Sequence, residues 1–104
     1  MKTYGEERSF LESCGVRVVE LSDESGRARV CLVPAWQGRV MTSTAAGTGG
    51  PGYGWINRSL IASGVRKSRF NPFGGEERLW LGPEGGPFSL YFAPGAEQVY
   101  ANWQ

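Results

Sequence analysis

Residues 16–33, VRVVELSDESGRARVCLV, decide how this chain folds. VRVVEL (16–21) is rich in β-branched residues and roughly alternates, and RARVCLV (27–33) alternates polar and apolar before becoming continuously apolar. Between them, SDESG (22–26) carries the turn-formers Asp23, Ser25 and Gly26. Two strand-like runs around a short glycine-containing loop read as an antiparallel β-hairpin.

Outward from the hairpin the chain keeps the same character. Pro34 ends the second run, because proline has no N–H to offer a central ladder. After the bend AWQG, RVMTST (39–44) reads as a third strand, and AAGTGGPGYG (45–54) as a loop by composition. WINRSLIAS (55–63) spaces Trp55, Ile56, Leu60 and Ile61 at helical intervals, which predicts a helix of two turns at most before Gly64. VRKSRFNPFGG (65–75) is irregular. RLWLG (78–82) and PFSLYF (87–92) read as two more strands joined by the turn PEGG, and PGAEQVYANWQ (94–104) as a turn and a last strand. On the other side, GEERSFLES (5–13) predicts a short N-terminal helix stopped by Gly15. Five or six short strands, one or two short helices and no helical crossovers define a mainly β, antiparallel fold.

At 104 residues the chain holds one β-rich domain, 1–104. Such a length buries roughly two-thirds of its unfolded surface, enough for a modest core. The apolar, aromatic end (Val99, Tyr100, Trp103) is unusual for a domain terminus, so the domain is expected to be a truncated or split part of a longer protein. Eleven Lys and Arg against ten Asp and Glu leave the charge nearly balanced. That argues against a nucleic-acid or membrane-surface partner, and the small cluster Arg66, Lys67 and Arg69 reads as a solvated connector. No secretory signal or membrane span is visible, which makes the cytoplasm the default location. The two cysteines, Cys14 and Cys31, are expected as free, partly buried thiols.

Several chemistries are excluded by composition. The absence of histidine removes Ser/His/Asp catalysis and the commonest zinc ligand. No spacing suggests a metal, and no cofactor is implied. Gly47, Gly49 and Gly52 match G-x-G-x-x-G formally, but Pro51 and Gly54 interrupt the passage into a helix that dinucleotide binding needs.

The densest stretch is GGEERLWLGPEGG (74–86). By period-2 alternation Glu76, Arg78 and Trp80 share one face and Glu77, Leu79 and Leu81 the other, which is suited to the core. A Glu–Arg–Trp face suits a polyhydroxylated ligand, the indole stacking on a sugar and the charged groups bonding its hydroxyls. A cross-strand salt bridge beside a packed tryptophan accounts for the same spacing. Glu76, Glu77 and Glu84 also offer carboxylates of the kind used in glycoside cleavage.

From Val33 onward the blocks VPAWQGRVMTSTAAG, GPGYGWINRSLIASG and NPFGGEERLWLGPEGGPFSLYF, with the ending NWQ, resemble the N-terminal third of an uncharacterised bacterial family, a domain of unknown function. More loosely, its members are similar to the galactose-mutarotase-like β-supersandwich proteins, which bind and sometimes epimerise sugars. Carried over position by position, the resemblance implies Arg39, Asn57, Glu76, Arg78, Trp80 and Glu84 as ligand-binding residues. Tyr53 and Trp55 fall in the matching YGW block. Glu77 stands where relatives commonly carry aspartate. Mutarotase-type epimerisation uses histidine and a late glutamate, and this chain has no histidine, so a complete catalytic apparatus is not expected. The resulting expectation is a β-sandwich portion forming one wall of a carbohydrate-binding cleft, without catalysis of its own. The alternatives are a non-catalytic interaction module that self-associates or takes a partner chain through exposed strand edges, and a carbohydrate-active enzyme using Glu76 or Glu84.

Overall fold

In the computed structural model, which describes residues 2–68, 70–79, 88 and 91–103 and Tyr100 by its backbone only, the stretch 16–33 forms the expected hairpin. β1 (Val19–Ser22) and β2 (Arg29–Val33) pair antiparallel, with Val19 opposite Leu32 and Ser22 opposite Arg29. β2 begins two residues later than the run 27–33, because Asp23 organises the loop before it. Its carboxylate accepts from the Ser25 hydroxyl at 2.9 Å and the Gly26 N–H at 2.9 Å, while its own N–H donates to Ala28 at 3.1 Å. Local bonds of this kind offer the backbone an alternative to the ladder.

A short 3-10 turn at Pro34–Trp36 and left-handed backbone at Gln37 and Gly38 lead into β3 (Arg39–Thr44), which coincides with the expected third strand. β3 pairs antiparallel with β2, giving a sheet of order β1-β2-β3. The register jumps: Cys31 faces Thr42 but Leu32 faces Val40, so Met41 is an extra residue on β3. That bulge explains why the adjacent Met41 and Thr42 are both buried, which strict alternation would forbid on a one-sided strand. Across the ladder, Glu20, Cys31 and Thr42 share the inner face with Val33 and Arg39, whereas Val19, Leu32 and Val40, with Leu21 and Val30, share the outer one.

The glycine-rich stretch after β3 is an ordered ribbon laid back along that strand. A Cβ on Gly50 would lie 2.9 Å from the Thr44 hydroxyl, one on Gly52 2.7 Å from the Thr42 hydroxyl, and one on Gly54 against the Met41 carbonyl. Every second residue is therefore glycine because the backbone approaches β3 too closely for any side chain. The ribbon's other side meets the N-terminus, where Tyr4 N–H donates to Gly50 at 2.9 Å and Gly52 N–H to Lys2 at 3.2 Å.

α1 (Tyr4–Ser13) begins with a capping box: Thr3 Oγ1 accepts from Glu6 N–H at 3.2 Å, and Glu6 Oε2 accepts from Thr3 N–H at 3.0 Å. This reciprocal pair satisfies two donors at the helix start. The helix lays Tyr4 and Leu11 into a core shared with Cys31, Val33, Met41, Ile56, Ile61 and Phe73. Tyr4 is fully buried and sends its hydroxyl to Glu20 at 2.9 Å, and Glu20 also receives Arg8 at 2.9 Å and Arg29 at 2.8 Å. Helix, β1 and β2 are thus joined at one carboxylate. α2 (Arg58–Ser63) is shorter than the expected helix, because Asn57 caps it and Trp55 and Ile56 run extended, Ile56 bridging to Gly74. Arg58 ties it to α1 through the buried Glu7 at 3.1 Å and the Phe10 ring at 4.3 Å.

The chain divides into two compact units: 1–66 with 72–79, described so far, and 67–71 with 80–104. In the second, Phe70, Tyr91 and Phe92 surround Trp103, each 5.7 Å from its ring. The last strand expected in 94–104 is replaced by a 3-10 turn, Tyr100–Asn102, pinned by Asn102 Nδ2 donating to the Glu97 carbonyl at 2.9 Å. Of the strands expected at 78–82 and 87–92, Arg78 and Leu79 are outside any strand, Phe88 lies in a turn, and Tyr91 and Phe92 lie in a bend; the remaining positions fall outside the described residues. The fold is mainly β, with one three-stranded antiparallel sheet and two short α-helices among the described residues. No helix among them is long and apolar enough to cross a membrane. Both cysteines are free thiols, Cys31 buried and Cys14 half-buried.

Candidate functional site

Four of the candidate residues, Arg39, Asn57, Glu76 and Arg78, lie on or against the segment 72–79, which the first two hold in place. Asn57 Nδ2 donates to the Pro72 carbonyl at 2.9 Å, while its Oδ1 accepts from Leu60 N–H at 3.4 Å to cap α2. Arg39 Nη1 donates to the Gly74 carbonyl at 3.1 Å and Nη2 to Gln37 Oε1 at 3.3 Å. Between these clamps Phe73 is buried and stacks on Trp36, with ring centroids 3.9 Å apart and planes 14° from parallel. Gly74 and Gly75 then turn the chain at φ 92° and 95°, a backbone that glycine adopts without cost. A Cβ on Gly75 would also stand 2.8 Å from the Val40 carbonyl.

This turn delivers 76–79 to the free side of β3. Val40 N–H donates to Glu77 at 2.7 Å and the Val40 carbonyl accepts from Glu76 N–H at 2.7 Å, so two residues stand against one as in a β-bulge. The bulge breaks the alternation expected for the stretch. Glu76 and Glu77 are both exposed, and Glu76 Oε1 accepts from the Ser43 hydroxyl, an outer-face residue, at 2.9 Å. Beyond the bulge, Arg78 falls directly opposite Arg39 and so belongs with the inner face. Leu79, expected toward the core, is 68% exposed. Glu76 and Arg78 therefore do not share a face. Trp80 and Glu84 lie outside the described residues.

A different grouping forms on the outer side. Because Gly50, Gly52 and Gly54 turn toward β3, the intervening Pro51, Tyr53 and Trp55 turn away from it. Tyr53 is 59% exposed and its N–H donates to the Ser43 carbonyl at 3.0 Å; Trp55 is 66% exposed and its ring edge lies over Gly74. Glu76, bonded to the same Ser43, stands beside them. Two exposed rings and a carboxylate thus converge on one patch. The signal was present in sequence as the alternation of glycine at 50, 52 and 54 with larger residues at 51, 53 and 55, which composition alone reads as a loop. Among the described residues no group of three Cys, Asp or Glu comes together to hold a metal.

Burial and a neighbouring charge both act on Arg39. Only 4% exposed, it loses solvation on burial and feels the charge of Arg78, and both effects lower its pKa. Its Nε has no hydrogen-bond partner.

These features define a mainly β domain that carries an exposed aromatic and carboxylate patch. The chain belongs to the family described as a family of unknown function (DUF6786), which matches residues 2–104. No curated protein and no solved structure matches it significantly.

Proposed function

We propose that this chain binds carbohydrate, as part of a β-sandwich in which it forms one wall of the cleft. The observation that carries the reading is the exposed pair Tyr53 and Trp55, 59% and 66% exposed, set beside Glu76. A small domain gains most from burying its large rings, so two left in water on a backbone shaped to project them are well placed to stack on the apolar face of a sugar. Glu76 then offers a charged acceptor to the sugar hydroxyls, a stronger bond than a neutral group would make. The sandwich is supported by the outer face of the sheet. Val19, Val30, Leu32 and Val40 are in register there, apolar and only half-buried, as a face is that packs on a second sheet.

Calorimetric titration with a panel of mono- and oligosaccharides tests this. Binding should weaken roughly tenfold or more in Trp55→Ala and Tyr53→Ala, the scale of one lost stacking contact. Glu76→Gln should weaken it less. Failure of every sugar to bind, or binding unchanged in the Tyr53/Trp55 double variant, would refute the reading.

A second reading rests on β1, which ends the sheet and has no bridge on its outer edge among the described residues. An open edge of this kind can pair with a second chain. Concentration-dependent association, abolished by Leu21→Pro, would favour it, and a monomer at all concentrations would remove it.

A further inference from the structure

The patch that carries Tyr53 and Trp55 is charged with one sign only. Glu76 and Glu77 are consecutive and both exposed, and among the described residues neither has an ion pair. Glu76 accepts the Ser43 hydroxyl at 2.9 Å through Oε1, which leaves Oε2 without a donor among the described residues. The Glu77 carboxylate accepts only the Arg78 N–H, at 3.1 Å. The rings are equally unengaged. Among the described residues neither Tyr53 nor Trp55 meets another ring or a cation, whereas the Phe10 ring of the same compact unit is covered by Arg58 at 4.3 Å.

These groups are held in place together. Ser43 bonds to Glu76 through its hydroxyl and to the Tyr53 N–H through its carbonyl, at 3.0 Å, while the Trp55 carbonyl accepts from the N–H of Gly75, the residue before Glu76, at 2.6 Å. The backbone that bears the rings is thus laced to the backbone that bears the acid. What rings and acids lack in common is a positive partner. An aromatic face is the negative part of a quadrupole and attracts cations, and an ionised carboxylate only accepts hydrogen bonds. A sugar hydroxyl brings one donor and no charge, whereas an ammonium brings three donors and the charge that both kinds of group attract.

We propose that the patch selects sugars bearing a protonated amine, of the 2-amino-2-deoxyhexose type, a selectivity that rests on the carbohydrate reading of the same patch and goes past it. The pyranose ring stacks on the Trp55 indole, and the ammonium pairs with Glu76 through the oxygen that Ser43 leaves open. Glu77 adds a second negative charge next to the first, so an acidic sugar is disfavoured by like-charge repulsion.

The test is calorimetric titration of the whole chain at about pH 6, where such an amine is protonated. Glucosamine and galactosamine are compared with glucose, galactose, their N-acetylated forms and ethanolamine. At least one hexosamine should bind roughly tenfold more tightly than its parent hexose and than its N-acetyl derivative, which keeps the ring but loses the charge; that is the scale of an exposed ion pair together with one cation–π contact. Ethanolamine, an amine with no ring to stack, should bind more weakly than the hexosamine. Sodium chloride should narrow the hexosamine's advantage, because an exposed pairing is screened. Glu76→Gln should weaken the hexosamine more than the hexose and close most of the gap. Hexosamine, hexose and N-acetyl derivative binding alike would overturn the selectivity and leave carbohydrate binding standing, whereas no binding by any sugar would remove both. A gap undiminished in Glu76→Gln or in the Tyr53/Trp55 double alanine variant would place the amine elsewhere and overturn the assignment, as would ethanolamine binding as tightly as the hexosamine.

Discussion

Gly54→Ala is the sharpest test of the ribbon on which the aromatic patch is mounted. The added methyl would meet the Met41 carbonyl oxygen, the Met41 carbonyl carbon at 2.9 Å and Thr42 Cα at 3.0 Å, all of them backbone. Backbone inside a bulge cannot rotate aside as a side-chain tip can, so the ribbon must lift. Forced overpacking of this kind costs about 1–3 kcal/mol. Lifting also strains the bonds from Tyr53 N–H to Ser43 at 3.0 Å and from Gly54 N–H to the Thr42 hydroxyl at 3.3 Å, each worth about 1 kcal/mol. A loss of about 3 kcal/mol follows, equivalent to a fall of roughly 12–24 °C in melting temperature for a domain of this size. Gly49→Ala is the matched control in the same stretch, since a Cβ there has nothing within 4 Å. It should be neutral or stabilise by up to about 1 kcal/mol, because alanine has fewer unfolded conformations to lose. Urea unfolding followed by circular dichroism measures both. The argument fails if Gly54→Ala costs less than about 0.5 kcal/mol, within the range of an ordinary surface change, or if Gly49→Ala costs as much as Gly54→Ala.

Other consequences are independent of the ribbon. Thr3→Ala removes the cap of α1 and should cost about 1 kcal/mol, read as a lower melting temperature and faster amide exchange in the first turn. Burial opposes the charge of Glu20, but the Tyr4 hydroxyl, Arg8 and Arg29 outweigh it and hold its pKa below the ordinary 4.5. A folded value below the unfolded one means that this stabilisation is present above about pH 4.5 and is lost as pH falls through the folded value, so Glu20→Gln should flatten that part of an acid titration of stability. Burial pushes the Cys31 thiol up to about 11. A thiol reagent at mildly alkaline pH should therefore leave Cys31 unmodified until denaturant is added, whereas the half-buried Cys14 reacts in the folded protein.

The elements legible in sequence were those specified by neighbours along the chain. β3 coincides with RVMTST because its ends are set locally, by the turn through Gln37 and Gly38 and by the glycine-rich run beyond Thr44. The hairpin and α1 were legible for the same reason, and the Thr3-x-x-Glu6 capping pattern was there to be read although composition drew attention only to the acidic residues. What escaped was decided across the chain. The bulges at Met41 and at Glu76–Glu77 depend on which strand lies alongside, and each shifts alternation by one, which sent Leu79 outward and parted Arg78 from Glu76. Trp55 and Ile56 carried helical spacing, yet Ile56 bridges to Gly74 and Asn57 is occupied as a cap, so the helix starts later. Of the six candidate residues, Arg39, Asn57, Glu76 and Arg78 do converge on one segment, but the first two hold its backbone, while the exposed rings come from the neighbouring ribbon.

The ribbon from Gly50 to Trp55 divides its labour by parity. Even positions are held to glycine by close contact with β3 or the chain just beyond it, whereas the side chains of Tyr53 and Trp55 at odd positions point away from β3 and are mostly exposed. Positions 53 and 55 can therefore accept other side chains without disturbing the sheet, so the chemistry offered at the surface can be rewritten while the scaffold stays constant. A single-residue insertion between Gly50 and Gly54 would do the reverse, driving a ring into β3 and leaving a glycine outside, so in this stretch length is constrained more tightly than identity.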